Sequence, residues 1–133
     1  MNFLLLVGLG GFGGAVSRYV IGRWVLEFGM RSDFPYPTLF VNAIGCLLIG
    51  IFYGVSEDRN FFNVELRGLF AVGFLGGFTT FSAFSVETLN LLRDGLLVQA
   101  ICNITLQFVV TLVAVSVGFF AARSIAGYLA SSG

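Results

Sequence analysis

The sequence contains no histidine and no lysine, and only two of its 133 residues are cysteines. Cys46 and Cys102 both lie in apolar segments, where a lone thiol behaves as a small hydrophobic side chain, and their spacing predicts neither a disulfide framework nor a metal site. Without histidine, no serine has an obvious base to activate it, and no apolar segment carries a pair of carboxylates. We therefore do not expect an enzyme.

Charged residues are also scarce, at 11%, whereas 57% of the residues are hydrophobic and the mean hydropathy is +0.95. This composition is typical of an integral membrane protein. Four apolar segments have about the length that crosses a bilayer, and they cover Phe3 to Val25, Thr38 to Val55, Leu66 to Leu92 and Leu96 to Ala122. We predict one four-helix transmembrane domain over residues 1–133. The first segment has no basic residue before it and no cleavage signal after it, so we expect a retained helix and not a signal peptide.

The connections between the segments are short and leave no room for a soluble domain. They are Leu26 to Pro37, Ser56 to Glu65 and the turn at Arg93-Asp94-Gly95. With four spans, one side of the membrane receives Arg59, Arg67 and Arg123, and the other receives Arg23, Arg31 and Arg93. Because the Lys and Arg imbalance between loops sets orientation, this balance gives almost no instruction. Either later cues fix one orientation, or both orientations form and pair antiparallel; the sequence favours dual topology.

The third segment contains a predicted break at its centre. Gly76 and Gly77 lower helix propensity just before two β-branched residues, Thr79 and Thr80. A helix unwound from Gly76 to Thr80 near the bilayer midplane exposes polar backbone, which must face protein, water or ions. Beyond the break, Phe81 and Phe84 are three residues apart and are expected to share one face of the resumed helix.

Several polar residues within the segments each allow two interpretations. Asn42 either joins helices or meets a ligand, Arg18 either extends to the membrane surface or sets the potential at a pore mouth, and Glu87 is either a solvated helix end or part of a proton or hydrogen-bond relay. In the fourth segment, residues at four-residue spacing form a predicted stripe of neutral donors. They are Asn103, Gln107 and Thr111.

Small residues at four-residue spacing predict helix packing seams. One row is Gly10 and Gly14, a second is Cys46, Gly50 and Gly54, and a third is Ala114, Gly118, Ala122 and Ala126.

Three stretches together resemble the Fluc family of bacterial fluoride channels over nearly the whole chain. They are the glycine-rich start followed by Arg18 and Tyr19, TLFVNAIG at residues 38–45, and GFLGGFTTFSAFSVE at residues 73–87, which is the most specific. The resemblance implies a fluoride-selective channel that gives passive efflux across a bacterial cell inner membrane. It also implies an antiparallel, dual-topology homodimer in the lipid bilayer, with two pores; no nucleic-acid partner is expected.

The resemblance also implies which residues carry the function. It implies a fluoride pore lined by Asn42, Phe81, Phe84, Gln107 and Thr111. We add Thr80, Ser82 and Glu87 as further predicted pore residues. A structural sodium ion is expected at the main-chain carbonyls of Gly76 and Thr79. Three positions depart from the family pattern, namely Pro37 where glycine is frequent, Ala83 where threonine is common and Val115 where a hydroxyl is common. The last two remove hydroxyls from the expected ion track.

Two other functions compete with this interpretation. A small multidrug or guanidinium exporter is also a four-helix antiparallel dimer, but it is expected to carry a carboxylate within its first helix, and this chain has no acidic residue before Glu27. A membrane scaffold without transport would explain the glycine seams but would leave Asn42, the phenylalanine pair and the polar stripe without a role.

Overall fold

The computed structural model describes residues 2–28, 32–56 and 62–131, and every regular element in these ranges is helical. Helix α1 covers Phe3–Glu27 and α2 covers Tyr36–Ser56. The third span is divided into α3 (Val64–Leu66), a π-helical stretch (Arg67–Leu75), α4 (Gly76–Phe78) and α5 (Phe81–Arg93), and α6 covers Leu97–Ser131. Four segments are long and apolar enough to cross a membrane, namely Phe3–Glu27, Tyr36–Ser56, Val64–Arg93 and Leu97–Tyr128.

The four predicted spans are confirmed, and each observed helix extends beyond its apolar segment. The largest difference is α6, which continues past Ala122 to Ser131. Hydropathy falls at Arg123, but a fall in hydropathy marks the edge of the membrane and not the end of a helix. The helix continues there, and the Ser124 hydroxyl donates to the Phe120 carbonyl one turn earlier at 2.8 Å. The predicted loops that include Arg31 and Arg59 fall partly on residues 29–31 and 57–61, which lie outside the described residues.

Proline and glycine mark two of the helix boundaries. Pro37 lies in the first turn of α2, where its missing N–H costs nothing. After α5, Gly95 has φ +76°, a left-handed conformation that glycine adopts without strain. The N–H groups of Gly95 and Leu96 bond back to the carbonyls of Leu92 and Leu91 at 3.2 and 2.8 Å. This glycine-terminated cap makes the predicted tight turn between α5 and α6.

The helices pack mainly as two pairs joined by small residues. The first half of the third span packs on α1, where a Cβ at Gly14 would overlap the Phe74 carbonyl oxygen. Helix α2 packs on α6, where a Cβ at Gly50 would overlap the Val115 carbonyl oxygen and one at Gly118 the Leu47 carbonyl oxygen. These contacts confirm the predicted seams at those glycines.

Large apolar side chains cover much of the outer surface, whereas the interior holds few of them. Phe12 is 72% exposed and Trp24 is 57% exposed. An apolar exterior of this kind suits a helix bundle in lipid, which has no need to bury its leucines and phenylalanines. The largest fully buried side chains are Phe78, Val41 and Asn103. Two of these, Val41 and Phe78, directly adjoin the site described next.

Candidate functional site

The third span is interrupted at Thr79 and Thr80, which we call the break. Thr79 has ψ 156° and Thr80 has φ −150° and ψ 115°, so both are extended. The predicted break is confirmed, but its predicted start at Gly76 is wrong, because Gly76–Phe78 is helical. The glycine at 77 serves packing instead: a Cβ there would lie 2.5 Å from the Gly11 carbonyl oxygen. Thr80 then caps α5, its Oγ1 accepting from the Ala83 N–H at 3.2 Å.

Asn42 of α2 bonds to both polar groups of the Thr80 backbone. Its Oδ1 accepts from the Thr80 N–H at 2.8 Å, and its Nδ2 donates to the Thr80 carbonyl at 3.1 Å. The same Nδ2 lies 3.4 Å from Oε1 of Gln107 on α6. Asn42 is buried and therefore replaces the hydrogen bonds that the break removes from the helix, while joining α2, the third span and α6.

A cavity of about 440 Å³ opens beside this junction. It brings together most of the predicted pore residues, which are Asn42, Thr80, Phe81, Phe84, Gln107 and Thr111, with Gly76 and Thr79. No charged side chain is among the residues that line it. The rings of Phe81 and Phe84 meet with centroids 5.3 Å apart and planes at 59°. They differ sharply in exposure, since Phe84 is buried and Phe81 is 74% exposed.

The other two predicted pore residues lie off this cavity. Ser82 lines a second cavity of about 620 Å³ together with Arg18 and Thr38. Glu87 accepts a hydrogen bond from the Thr38 hydroxyl at 2.5 Å. Thr80 lines both cavities, so the break separates them. Two of the family departures, Pro37 and Ala83, also line the second cavity.

Arg18 reaches the break rather than the helix end. Its guanidinium donates to the Thr79 carbonyl at 3.4 Å, and the residue is half-buried. Of the two interpretations of Arg18, this contact favours an electrostatic role beside the break over extension to the membrane surface. The Thr79 carbonyl is open to this contact because the Ala83 N–H, its partner in a continuous helix, bonds to Thr80 Oγ1.

A second buried polar group connects α5 with α6. The Thr88 hydroxyl donates to the Phe84 carbonyl at 2.8 Å, and Asn103 Nδ2 donates to Thr88 Oγ1 at 2.9 Å. Asn103 Oδ1 is left buried with no hydrogen-bond partner among the described residues, as is Glu87 Oε2. Because the Thr88 hydroxyl already donates to the Phe84 carbonyl, Asn103 acts as the donor in its bond to Thr88, and its oxygen is the atom left free.

Sequence reasoning missed two contacts of this region, Arg18 with the Thr79 carbonyl and Thr38 with Glu87. A signal for Thr38 was present, because it precedes Asn42 by one helical turn on the same face. Arg18 gave no such signal, since its partner is a backbone atom 61 positions away. Within the described residues, no cluster of histidine, cysteine or carboxylate side chains could hold a metal ion.

Comparison of the sequence with known proteins shows which family the chain resembles. Residues 5–119 match the family model described as CrcB-like protein, Camphor Resistance (CrcB). A protein of Methylobacillus flagellatus named fluoride-specific ion channel FluC is 44% identical over 119 residues, covering 90% of this chain and 93% of the relative. A Nitratiruptor protein of the same name is 43% identical, covering 84% and 87%. The protein named fluoride-specific ion channel FluC 1 of Methanosarcina acetivorans is 40% identical, covering 97% of each chain.

Proposed function

The chain belongs to the CrcB family, and from this premise we propose that it is a fluoride-selective ion channel of the cell inner membrane that lets fluoride leave the cytoplasm passively. The names of its relatives support the substrate. The observation that carries the proposal is the uncharged cavity at the break, which gathers Asn42, Gln107, Thr111 and the phenylalanine pair. This set of residues suits a channel and not an enzyme.

The chemistry of the cavity fits a small, strongly hydrated anion. Dehydrating fluoride requires compact donors, and neutral amides and hydroxyls are donors without a fixed charge that would hold chloride equally well. The edge of an aromatic ring is weakly positive, so Phe81 and Phe84 can complement an anion while excluding water. Weak binding at several such groups permits an ion to enter and to leave.

We further propose that two chains pair antiparallel and that each dimer holds two pores. The balanced arginines support dual topology, because neither side of the membrane is favoured. The 74% exposure of Phe81 supports pairing, because a residue at the cavity that is exposed in one chain is available to a second. Cysteine labelling checks this: with Cys46 and Cys102 replaced and Asp94→Cys added, a reagent that cannot cross the membrane should label the protein from both sides. Labelling from one side only would remove the antiparallel arrangement.

A structural sodium ion at the two-fold axis completes the proposal, held by the carbonyls of Gly76 and Thr79. Both carbonyls lack their partners in a continuous helix, because the Thr80 N–H bonds to Asn42 and the Ala83 N–H bonds to Thr80. The Thr79 carbonyl also accepts from Arg18 at 3.4 Å, and its second lone pair is the one proposed for the ion. Neutral hard oxygens suit a hard monovalent cation, whose charge would offset the cost of nearby anions. Replacing sodium with N-methylglucamine throughout purification should lower dimer stability. An unchanged dimer after thorough sodium removal would end this part of the proposal.

Fluoride efflux from liposomes tests the main proposal and separates it from both competitors. The wild-type protein should release fluoride rapidly, release chloride far more slowly and show no proton-coupled guanidinium transport. The exporter is disfavoured because the first acidic residue, Glu27, ends α1 and pairs with Arg23 at 3.2 Å on the exposed surface. Guanidinium transport would favour the exporter, and the absence of any flux would favour a scaffold.

A further inference from the structure

The hydrogen bonds at the break have a direction that cannot be reversed. A peptide N–H can only donate and a peptide carbonyl can only accept. Because Asn42 bonds to both groups of Thr80, its Oδ1 must face the N–H and its Nδ2 must face the carbonyl. The orientation of this side-chain amide is therefore set by the backbone of the break and does not depend on how amide atoms are assigned.

This direction passes from Asn42 to Gln107. An asparagine amide has two N–H bonds, and both on Asn42 are used, one for the Thr80 carbonyl and one for Gln107 Oε1. Asn42 consequently has no donor left for an ion in this arrangement. The oxygen of the Gln107 amide accepts from Asn42, so the Nε2 group is the part of this amide that remains.

Nε2 of Gln107 is a buried donor with no hydrogen-bond partner among the described residues. Gln107 is 94% buried, since 6% of it is exposed, and it lines the cavity with both phenylalanines. Its neighbour Thr111 also lines the cavity, but the Thr111 hydroxyl donates to the Gln107 carbonyl. The hydrogen atoms of an unpaired N–H group carry partial positive charge, so an anion can accept from them, whereas a cation would be repelled.

We infer that Gln107 Nε2 is the group that donates to the permeating anion, and that Asn42 is a positioning residue that acts through Gln107. This inference rests on the proposed function and assigns the two amides different tasks. Asn42 holds the break and keeps the Gln107 oxygen turned away from the ion. Without Asn42, the Gln107 amide can rotate and present oxygen as readily as nitrogen, so anion binding weakens although every donor on α6 is still present.

Nuclear magnetic resonance of the reconstituted channel tests this directly, because Gln99 and Gln107 are the only two glutamines in the chain. Labelling glutamine with ¹⁵N gives two side-chain amides, and Gln99→Glu assigns them. Titration with fluoride should move the Gln107 Nε2 proton signals to saturation, while chloride at equal ionic strength moves them little. With ¹⁵N-asparagine, the Asn42 amide should move less than that of Gln107.

The variant Asn42→Leu then tests the positioning role. It should reduce the fluoride-dependent movement of the Gln107 signals at least twofold. If Asn42 served only in packing, fluoride would move the Gln107 signals in this variant as far as in the wild type. An unchanged Gln107 response in this variant overturns the positioning role. If the wild type transports fluoride but its Gln107 signals do not respond, or Asn42 responds more strongly, the inference fails and the proposed function stands. If the wild type transports no fluoride, both fail.

Discussion

Two of the buried polar groups among the described residues differ in the atom at which their hydrogen bonds stop. The first group, Thr80, Asn42 and Gln107, ends in a donor, and we call it the donor-ended group. The second, Thr88 and Asn103, ends in an acceptor, and we call it the acceptor-ended group. Gln107 and Asn103 lie one turn apart on the same helix, yet Gln107 leaves its whole Nε2 group without a partner, whereas Asn103 uses its Nδ2 group for Thr88 and leaves its oxygen without one. Both residues carry side-chain amides, so their partners and not their residue type distinguish them.

The largest effect is expected from reversing the direction of the donor-ended group with Asn42→Asp. The aspartate can still accept from the Thr80 N–H, but it meets the Thr80 carbonyl and Gln107 Oε1 with oxygen instead of N–H. Losing two buried hydrogen bonds at about 1–3 kcal/mol each predicts a fall in fluoride flux of roughly 100-fold or more. A fluoride electrode outside loaded liposomes measures it.

The matched control for that change is Asn63→Asp. Asn63 caps α3 and uses its side-chain oxygen to accept from the Leu66 N–H at 2.8 Å, a task that aspartate performs equally well. The change removes only a 3.4 Å hydrogen bond from Asn63 Nδ2 to Glu65 on the exposed surface. Its flux should equal that of the wild type. Near-normal flux in Asn42→Asp as well would show that the direction of the Asn42 amide has no bearing on transport.

A smaller effect is expected from moving the break without changing any polar atom. In Gly45→Ala the new methyl group would overlap the Thr79 side chain and lie 3.2 Å from a ring carbon of the fully buried Phe78. Overpacking of this kind costs about 1–3 kcal/mol, so we expect lower thermal stability and roughly tenfold slower fluoride efflux. Gly8→Ala is the control, because no atom lies within 4 Å of its new Cβ. Equal melting temperatures for the two variants would contradict this packing at the break.

The smallest effect is expected at the carboxylate beside the acceptor-ended group. Glu87→Gln keeps an oxygen for the Thr38 hydroxyl and replaces the unpaired oxygen with an amide. Because Glu87 lies off the cavity that holds the phenylalanine pair, fluoride efflux should change by about threefold or less. A loss of tenfold or more would make Glu87 an essential part of the pathway and would favour its interpretation as a relay.

The spans were predictable because hydropathy over about 20 residues reports the membrane directly. The break was predictable in place but not in detail: propensity pointed to Gly76 and Gly77, yet Gly77 is required for close approach to α1, and the extended residues are the threonines. The site was predictable as a set of residues only. Which way the amides face depends on contacts 38 and 65 positions apart in sequence, between Asn42 and Thr80 and between Asn42 and Gln107, which no local pattern contains.

The most direct test of this account compares fluoride efflux in Gln107→Leu and Asn103→Leu. Each change replaces a buried amide with an apolar side chain of similar size and removes one buried polar atom that has no partner among the described residues. Each change also removes one buried hydrogen bond, from Asn42 in the first variant and to Thr88 in the second, so their effects on stability should be similar, at about 1–3 kcal/mol. We expect Gln107→Leu to lose fluoride efflux almost completely and Asn103→Leu to retain it within about twofold. Equal efflux in the two folded variants would contradict the claim that the donor-ended group conducts the anion.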